Sequence, residues 1–317
     1  MKKFIDELST LLKYEHRELI EIDLLLCKIL FALSQNEFFY KNFLFKGGTC
    51  LIKNYLDYYR FSKDIDFTWK NQEIFKNKSR SQLKKYRSNL INKIGKIIEE
   101  ICKKNNLDFI NDKSNSNYFE FGGGNKMVTF RLYYLSEVLD IKKEVRVQIN
   151  FVECLKFTPK LGKLKSVIPE NEELIAFYSK EYSEYSKEIT FPIYNIKEIL
   201  CEKIRAILTR KGIKARDFFD IYLILNKNEF TIDDIKNQTV EKILFALNQY
   251  DKYKENLEGK RELINSGKLF TKGEVWGEEE NLLFVEINNE AFYTFVDDFN
   301  LFLKDITEEI YEKMSNS

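Results

Sequence analysis

The sequence predicts an α/β (α+β) fold, with a small mixed sheet and flanking helices in roughly the first half and a mainly helical second half. Three observations carry this. Residues 43–69 run strand, Gly-Gly turn, helix, strand. Residues 107–153 alternate apolar and polar positions in short runs separated by turn residues, the period of half-buried strands. From residue 195 onward the apolar residues recur at helical spacing. The expected division is a first domain over 1–160 and a mainly helical domain over 161–317 that completes an active cleft.

Composition bounds the possibilities. A chain of 317 residues with 44% hydrophobic content, including 27 Phe and 18 Tyr, can bury a sizeable core. The formal net charge is +1, so the whole chain is no obvious polyanion binder. Its charge is nevertheless uneven: 76–104 holds ten Lys or Arg against two Glu, whereas 272–317 holds twelve acids against three Lys. The cysteines (Cys27, Cys50, Cys102, Cys154, Cys201) are scattered without a C-x-x-C pair, and His16 is the single histidine, which argues against a zinc site or a disulfide framework. Neither a signal peptide nor an apolar run long enough to span a membrane is read, so the expected location is the cytoplasm with no membrane partner.

Residues 3–13 and 19–40 read as helices, the second strongly apolar. Phe43-Leu44-Phe45 reads as a buried strand, Gly47-Gly48 as a tight turn, and Thr49 to Leu56 as a helix with Leu51, Ile52, Tyr55 and Leu56 on its apolar face. In the following strand Asp64 and Asp66 are two apart and share a face, while Ile65 and Phe67 take the other. Burying two unpaired acids beside a core is costly, and a divalent cation removes that cost. A Gly-Gly turn opening a helix offers free N–H groups to phosphate. Either half alone is an ordinary feature, a turn or a solvated acid pair. Together they suggest nucleotide chemistry.

Lys76 to Lys104 reads as one long helix with an apolar stripe and a basic face, either solvated or a surface for RNA, and Gly95 is a mild defect in it. Candidate strands follow at Leu107–Ile110, Tyr118–Phe121, Met127–Leu135 and Lys142–Glu153, and Gly122-Gly123-Gly124-Asn125 reads as a hairpin turn. In 142–153 one face carries Val145, Val147, Ile149 and Phe151, the other Glu144, Arg146, Gln148, Asn150 and Val152, with Glu153 on the first. Glu172 to Glu188 reads as an amphipathic helix, and 188–196 as an edge strand because Pro192 cannot donate to a ladder. A helix capped by Asn195 then breaks at Gly212, and a second begins near Ala215. Lys203 and Arg210 share a face of the first, Asp217 and Asp220 a face of the second. Further helices are read over 232–257 and 288–315, where no motif is legible.

Strand, Gly47-Gly48-Thr49-x-Leu51, helix, then Arg60-x-Ser62-x-Asp64-Ile65-Asp66 closely resembles the signature of the AbiEii family of toxin nucleotidyltransferases. Glu202-Lys203-x-x-Ala206-x-x-x-Arg210 followed by Arg216-Asp217-x-x-Asp220-x-Tyr222 resembles the family's later motifs, so the likeness spans roughly 43–225. The resemblance implies a nucleotidyltransferase fold and an NTP-dependent, Mg²⁺- or Mn²⁺-dependent transfer, by the toxin of a toxin–antitoxin or abortive-infection system with a cognate antitoxin. It implies catalytic roles for Asp64, Asp66, Lys203 and Asp217, metal binding by Asp64 and Asp66, and nucleotide binding by Gly47, Gly48, Thr49 (its hydroxyl included), Arg60, Ser62 and Lys203. The implied acceptor is an RNA (tRNA) 3′ end; transfer to a protein, or a non-catalytic RNA- or partner-binding protein on a degenerate fold, stands as the alternative. The superfold's third metal carboxylate is expected near 148 or 150, where this chain has amides, leaving Glu153 or nothing in its place.

Overall fold

The computed structural model describes residues 1–271, 277–285 and 287–316. The chain forms two compact units: Met1–Glu153 with Pro159–Tyr194, and Cys154–Thr158 with Asn195–Ser317. This division differs from a boundary near 160, and the reason is topological: two strands formed after residue 159 extend the sheet of the first unit.

That sheet has seven strands in the order β3-β4-β5-β2-β1-β7-β6. The strands are β1 Phe43–Lys46, β2 Asp64–Trp69, β3 Phe119–Gly122, β4 Met127–Leu135, β5 Lys142–Asn150, β6 Lys160–Leu164 and β7 Ile189–Ile193. The central β2 pairs antiparallel with β1 and parallel with β5. One face is core, with Phe45, Ile65, Phe67, Val147, Ile149, Phe130 and Phe191 all fully buried. The glycine triplet turns the β3–β4 hairpin as read from the sequence, with Gly123, Gly124 and Asn125 at positive φ.

Three strand expectations change. Leu107–Ile110 forms only the isolated bridge Asp108↔Tyr133. β5 ends at Asn150, and β7 lies inside the sheet with β6 at the edge. Pro192 is tolerated there because Tyr194, two residues on, bonds the Phe45 carbonyl at 3.0 Å, so the proline nitrogen faces β1, where pairing registers only at Phe45↔Ile193.

The helices of this unit are α1 Lys2–Leu12, α2 Arg17–Ser34, α3 Glu37–Asn42, α4 Gly47–Cys50, α5 Arg80–Lys104, α6 Glu172–Phe177 and α7 Ser179–Tyr185. Helices expected over 19–40 and 172–188 are each divided, the first where the Asn36 side chain accepts the Phe39 N–H at 3.1 Å and opens α3. α4 runs on as a π-helix over Leu51–Leu56. The long helix starts at Arg80 and not at Lys76, since Ser79 and Gln82 form a reciprocal capping box. Gly95 in it is a point of close approach and no defect: a Cβ there would strike the Asn111 side chain.

The second unit comprises α8 Ile196–Thr209, α9 Ala215–Asn226, α10 Lys236–Gln249, α11 Asp251–Glu258, α12 Arg261–Asn265 and α13 Asn289–Ser315. The helix expected over 232–257 is therefore two, parted at Tyr250. The short segment 154–158 is held to α8 by buried Glu198, which accepts the Lys156 and Phe157 N–H groups at 2.8 and 2.7 Å and pairs with Lys242 at 2.5 Å. No described helix is long and apolar enough to cross a membrane.

Candidate active site

Strand register assembles the carboxylate site of the first unit. Lys46, Asp66 and Gln148 lie in one row across β1, β2 and β5; Asp64 and Arg146 lie in the next, with Arg131 of β4 beside Arg146. Residues opposite one another in a ladder share a face, so both aspartates project from the side of the sheet away from Ile65 and Phe67. Both are half-buried, close to a core yet open to solvent.

The Gly-Gly turn abuts these carboxylates. Gly47 has φ +77°, and a Cβ built on it would collide with the Asp66 carboxyl, whose Cγ would be 3.0 Å away. Only glycine satisfies both the left-handed backbone and the close approach. A Cβ on Gly48 would meet Arg60 Nη2 at 2.7 Å, so the turn is wedged between Asp66 and a buried arginine. Arg60 donates to the Phe61 carbonyl at 2.8 Å and stacks over Tyr59. Thr49, expected to offer its hydroxyl outward, is buried; it donates to the Asp64 carbonyl, with Ser62 Oγ 2.8 Å away. Its side chain thus ties the turn to the start of β2, which leaves the backbone N–H groups as what this turn can offer an anion.

Asp64 and Asp66 supply two hard oxygen donors on one face, which suits Mg²⁺, an ion that keeps several waters and commonly takes one or two protein carboxylates. Among the described residues no third His, Cys, Asp or Glu joins them in a group able to hold a metal. Gln148 stands beside Asp66 in the β5 row. Glu153 is buried and reaches residues of the aspartate face: it accepts from Asn150 at 3.2 Å and faces Lys46, the row neighbour of Asp66, at 3.8 Å, and Lys46 also lies 5.5 Å over the Tyr194 ring. An acid so engaged is a structural partner of Lys46, a pairing that sequence spacing gives no sign of because four strands form between the two positions.

In the second unit the remaining motif residues converge. Lys203 is buried and pairs with Asp217 at 3.2 Å and with Asp220 through a short contact, while Arg210 pairs with Asp217 at 2.6 Å. α8 and the turn after it contribute the cations and α9 the acids. Burial by itself would raise the Asp217 carboxyl, but Lys203 and Arg210 overcome it and hold Asp217 below the ordinary carboxylate range. Asp220, read from sequence only as a same-face neighbour of Asp217, is a direct partner of the lysine. Arg146 and Arg131, which no motif marks, enter through register alone.

Residues 28–305 match the sequence profile described as "Nucleotidyl transferase AbiEii toxin, Type IV TA system". Among solved structures, MenT4, a nucleotidyltransferase toxin from Mycobacterium tuberculosis, aligns over 95% of this chain and 89% of its own at 18% identity and a TM-score of 0.50, a likeness of fold. JHP933 from Helicobacter pylori aligns over 96% and 98% at 13% identity and a TM-score of 0.47. No curated protein sequence matches the chain. The profile match spans most of the chain and contains every motif above, and the chain therefore belongs to the AbiEii family of nucleotidyltransferase toxins of type IV toxin–antitoxin systems, a family that implies an NTP substrate, a divalent metal and a cognate antitoxin.

Proposed function

We propose that this protein transfers a nucleotidyl group from an NTP to an RNA 3′ hydroxyl, with tRNA as the acceptor class, in the bacterial cytoplasm. The observation that supports this most is the contact between the Gly47 turn and the Asp66 carboxyl, which sets the backbone N–H groups that open α4 beside a carboxylate whose strand face also carries Asp64. Asp64 and Asp66 would hold Mg²⁺ or Mn²⁺, which when bound neutralises phosphate charge and steadies the attacking and leaving oxygens. The backbone of Gly47, Gly48 and Thr49 binds the β- and γ-phosphates. Arg60 and Ser62 brace that turn from beneath. Within the second unit, Asp217 and Asp220 orient the Lys203 ammonium, a point cation of the kind that binds phosphate.

The test incubates purified protein, and its Asp64→Ala/Asp66→Ala variant, with Mg²⁺, each α-labelled NTP in turn and total cellular RNA. Label moving onto a discrete RNA only with intact carboxylates is the expected result. Label on protein redirects the acceptor assignment, and full activity in the variant refutes the carboxylate roles.

A further inference from the structure

The reaction's geometry divides the sheet. In phosphoryl-group transfer the attacking and leaving oxygens lie on opposite sides of the phosphorus, roughly in line. The Gly47-Gly48 turn follows β1, on one side of β2, and with the leaving pyrophosphate seated there the acceptor must approach from the other side, over β5 and β4. The same polar face continues there. Arg146 is the β5 neighbour of Asp64, about 5 Å away across the ladder, and Arg131 the β4 neighbour of Arg146, about 5 Å further.

We propose that Arg146 and Arg131 form the acceptor platform, binding backbone phosphates of a single-stranded RNA end beside Asp64. This rests on the nucleotidyl-transfer reading above and assigns to it a substrate surface. Arginine suits the task because its planar fork matches phosphate oxygens bidentately. Both guanidiniums are within reach of solvent, with the Arg146 side chain 50% and that of Arg131 32% exposed. Each is held in place by one acid: Glu144 accepts from Arg146 Nε at 2.8 Å, and Glu120 from Arg131 Nη2 at 2.9 Å. Asp64 and Asp66 add negative charge to this face, and a cation bound between them would favour phosphate binding beside Arg146.

The experiment measures anisotropy of a 5′-labelled single-stranded RNA of about twenty nucleotides, with and without Mg²⁺, and calorimetric NTP binding, for the full chain and for Arg146→Gln, Arg131→Gln and both Arg→Lys variants. Each Gln variant is expected to weaken RNA roughly tenfold and to reduce the salt slope by about 0.7 for each phosphate it ceases to neutralise. NTP affinity should stay within about twofold, and Lys should restore part of the RNA affinity. Unchanged RNA affinity in the double Gln variant overturns the proposal, as does a parallel fall in RNA and NTP affinity, and so does a wild-type chain that binds no RNA. Arginine-dependent RNA binding without label transfer sinks the enzymatic reading alone; transfer to another acceptor without RNA binding sinks the platform alone.

Discussion

At the scale of single residues, two positions are decided by what touches them. Gly47→Ala forces a Cβ into the Asp66 carboxyl from a left-handed backbone. Displacing a reacting group by about 1 Å can cost on the order of a hundredfold in rate, so kcat in the labelling assay should fall by about that factor while circular dichroism shows a folded chain. Asp217→Asn tests the second-unit cluster through pH. Because the folded carboxyl lies below its ordinary value of about 3.9, the unfolded chain binds more protons between the two values. Its stabilising contribution is present above pH ~4 and is lost as pH falls through the folded value. Urea midpoints of the wild-type chain should drop over that acidic window more steeply than those of the Asn variant; superimposable curves would show that Asp217 is not held by Lys203 and Arg210.

Elements are held by buried pairs that no motif announces. Lys53, fully buried on the π-helix after the Gly-Gly turn, meets Asp23 of α2 at 2.8 Å, Cys27 Sγ at 3.1 Å and Tyr58 at 2.5 Å. Burial opposes charge on Lys53, yet Asp23 outweighs it and raises the lysine above its ordinary value. Removing one partner of such a pair costs about 3–5 kcal/mol, whereas an apolar replacement of both is often near neutral. Lys53→Met should therefore lower stability by that amount in denaturant titrations, with Asp23→Leu/Lys53→Met recovering most of it. On α5, Gly95→Val drives a side chain into Asn111 and should cost about 1–3 kcal/mol, while Ser→Ala at exposed Ser81 should cost little.

For the whole molecule, the chain leaves the first unit after Glu153, returns at Pro159 and leaves again after Tyr194. The excursion 154–158 depends on Glu198, so Glu198→Ala leaves the buried Lys242 charge without its carboxylate and two N–H groups without their acceptor, and should destabilise the chain by about 3–5 kcal/mol, read as a shifted urea midpoint. Much of this molecule was legible in the sequence. The strand–Gly-Gly–helix–strand unit, the shared face of Asp64 and Asp66, the β3–β4 hairpin and the α8–α9 motif helices all follow from local periods of two and 3.6 and from turn chemistry, which neighbouring residues alone decide. Boundaries shifted wherever a cap competed with an apolar stripe, as at Asn36 and Ser79. What only the tertiary structure decided is which distant positions share a row or a burial site. Arg146 stands beside Asp64 because β2 and β5 pair in parallel; Glu153 faces Lys46, Asp220 meets Lys203, and Pro192 sits inside the sheet beneath an added edge strand. Register and long-range pairing arise from the packing of the whole core, so a local pattern can specify which face a residue takes and not which partner waits there.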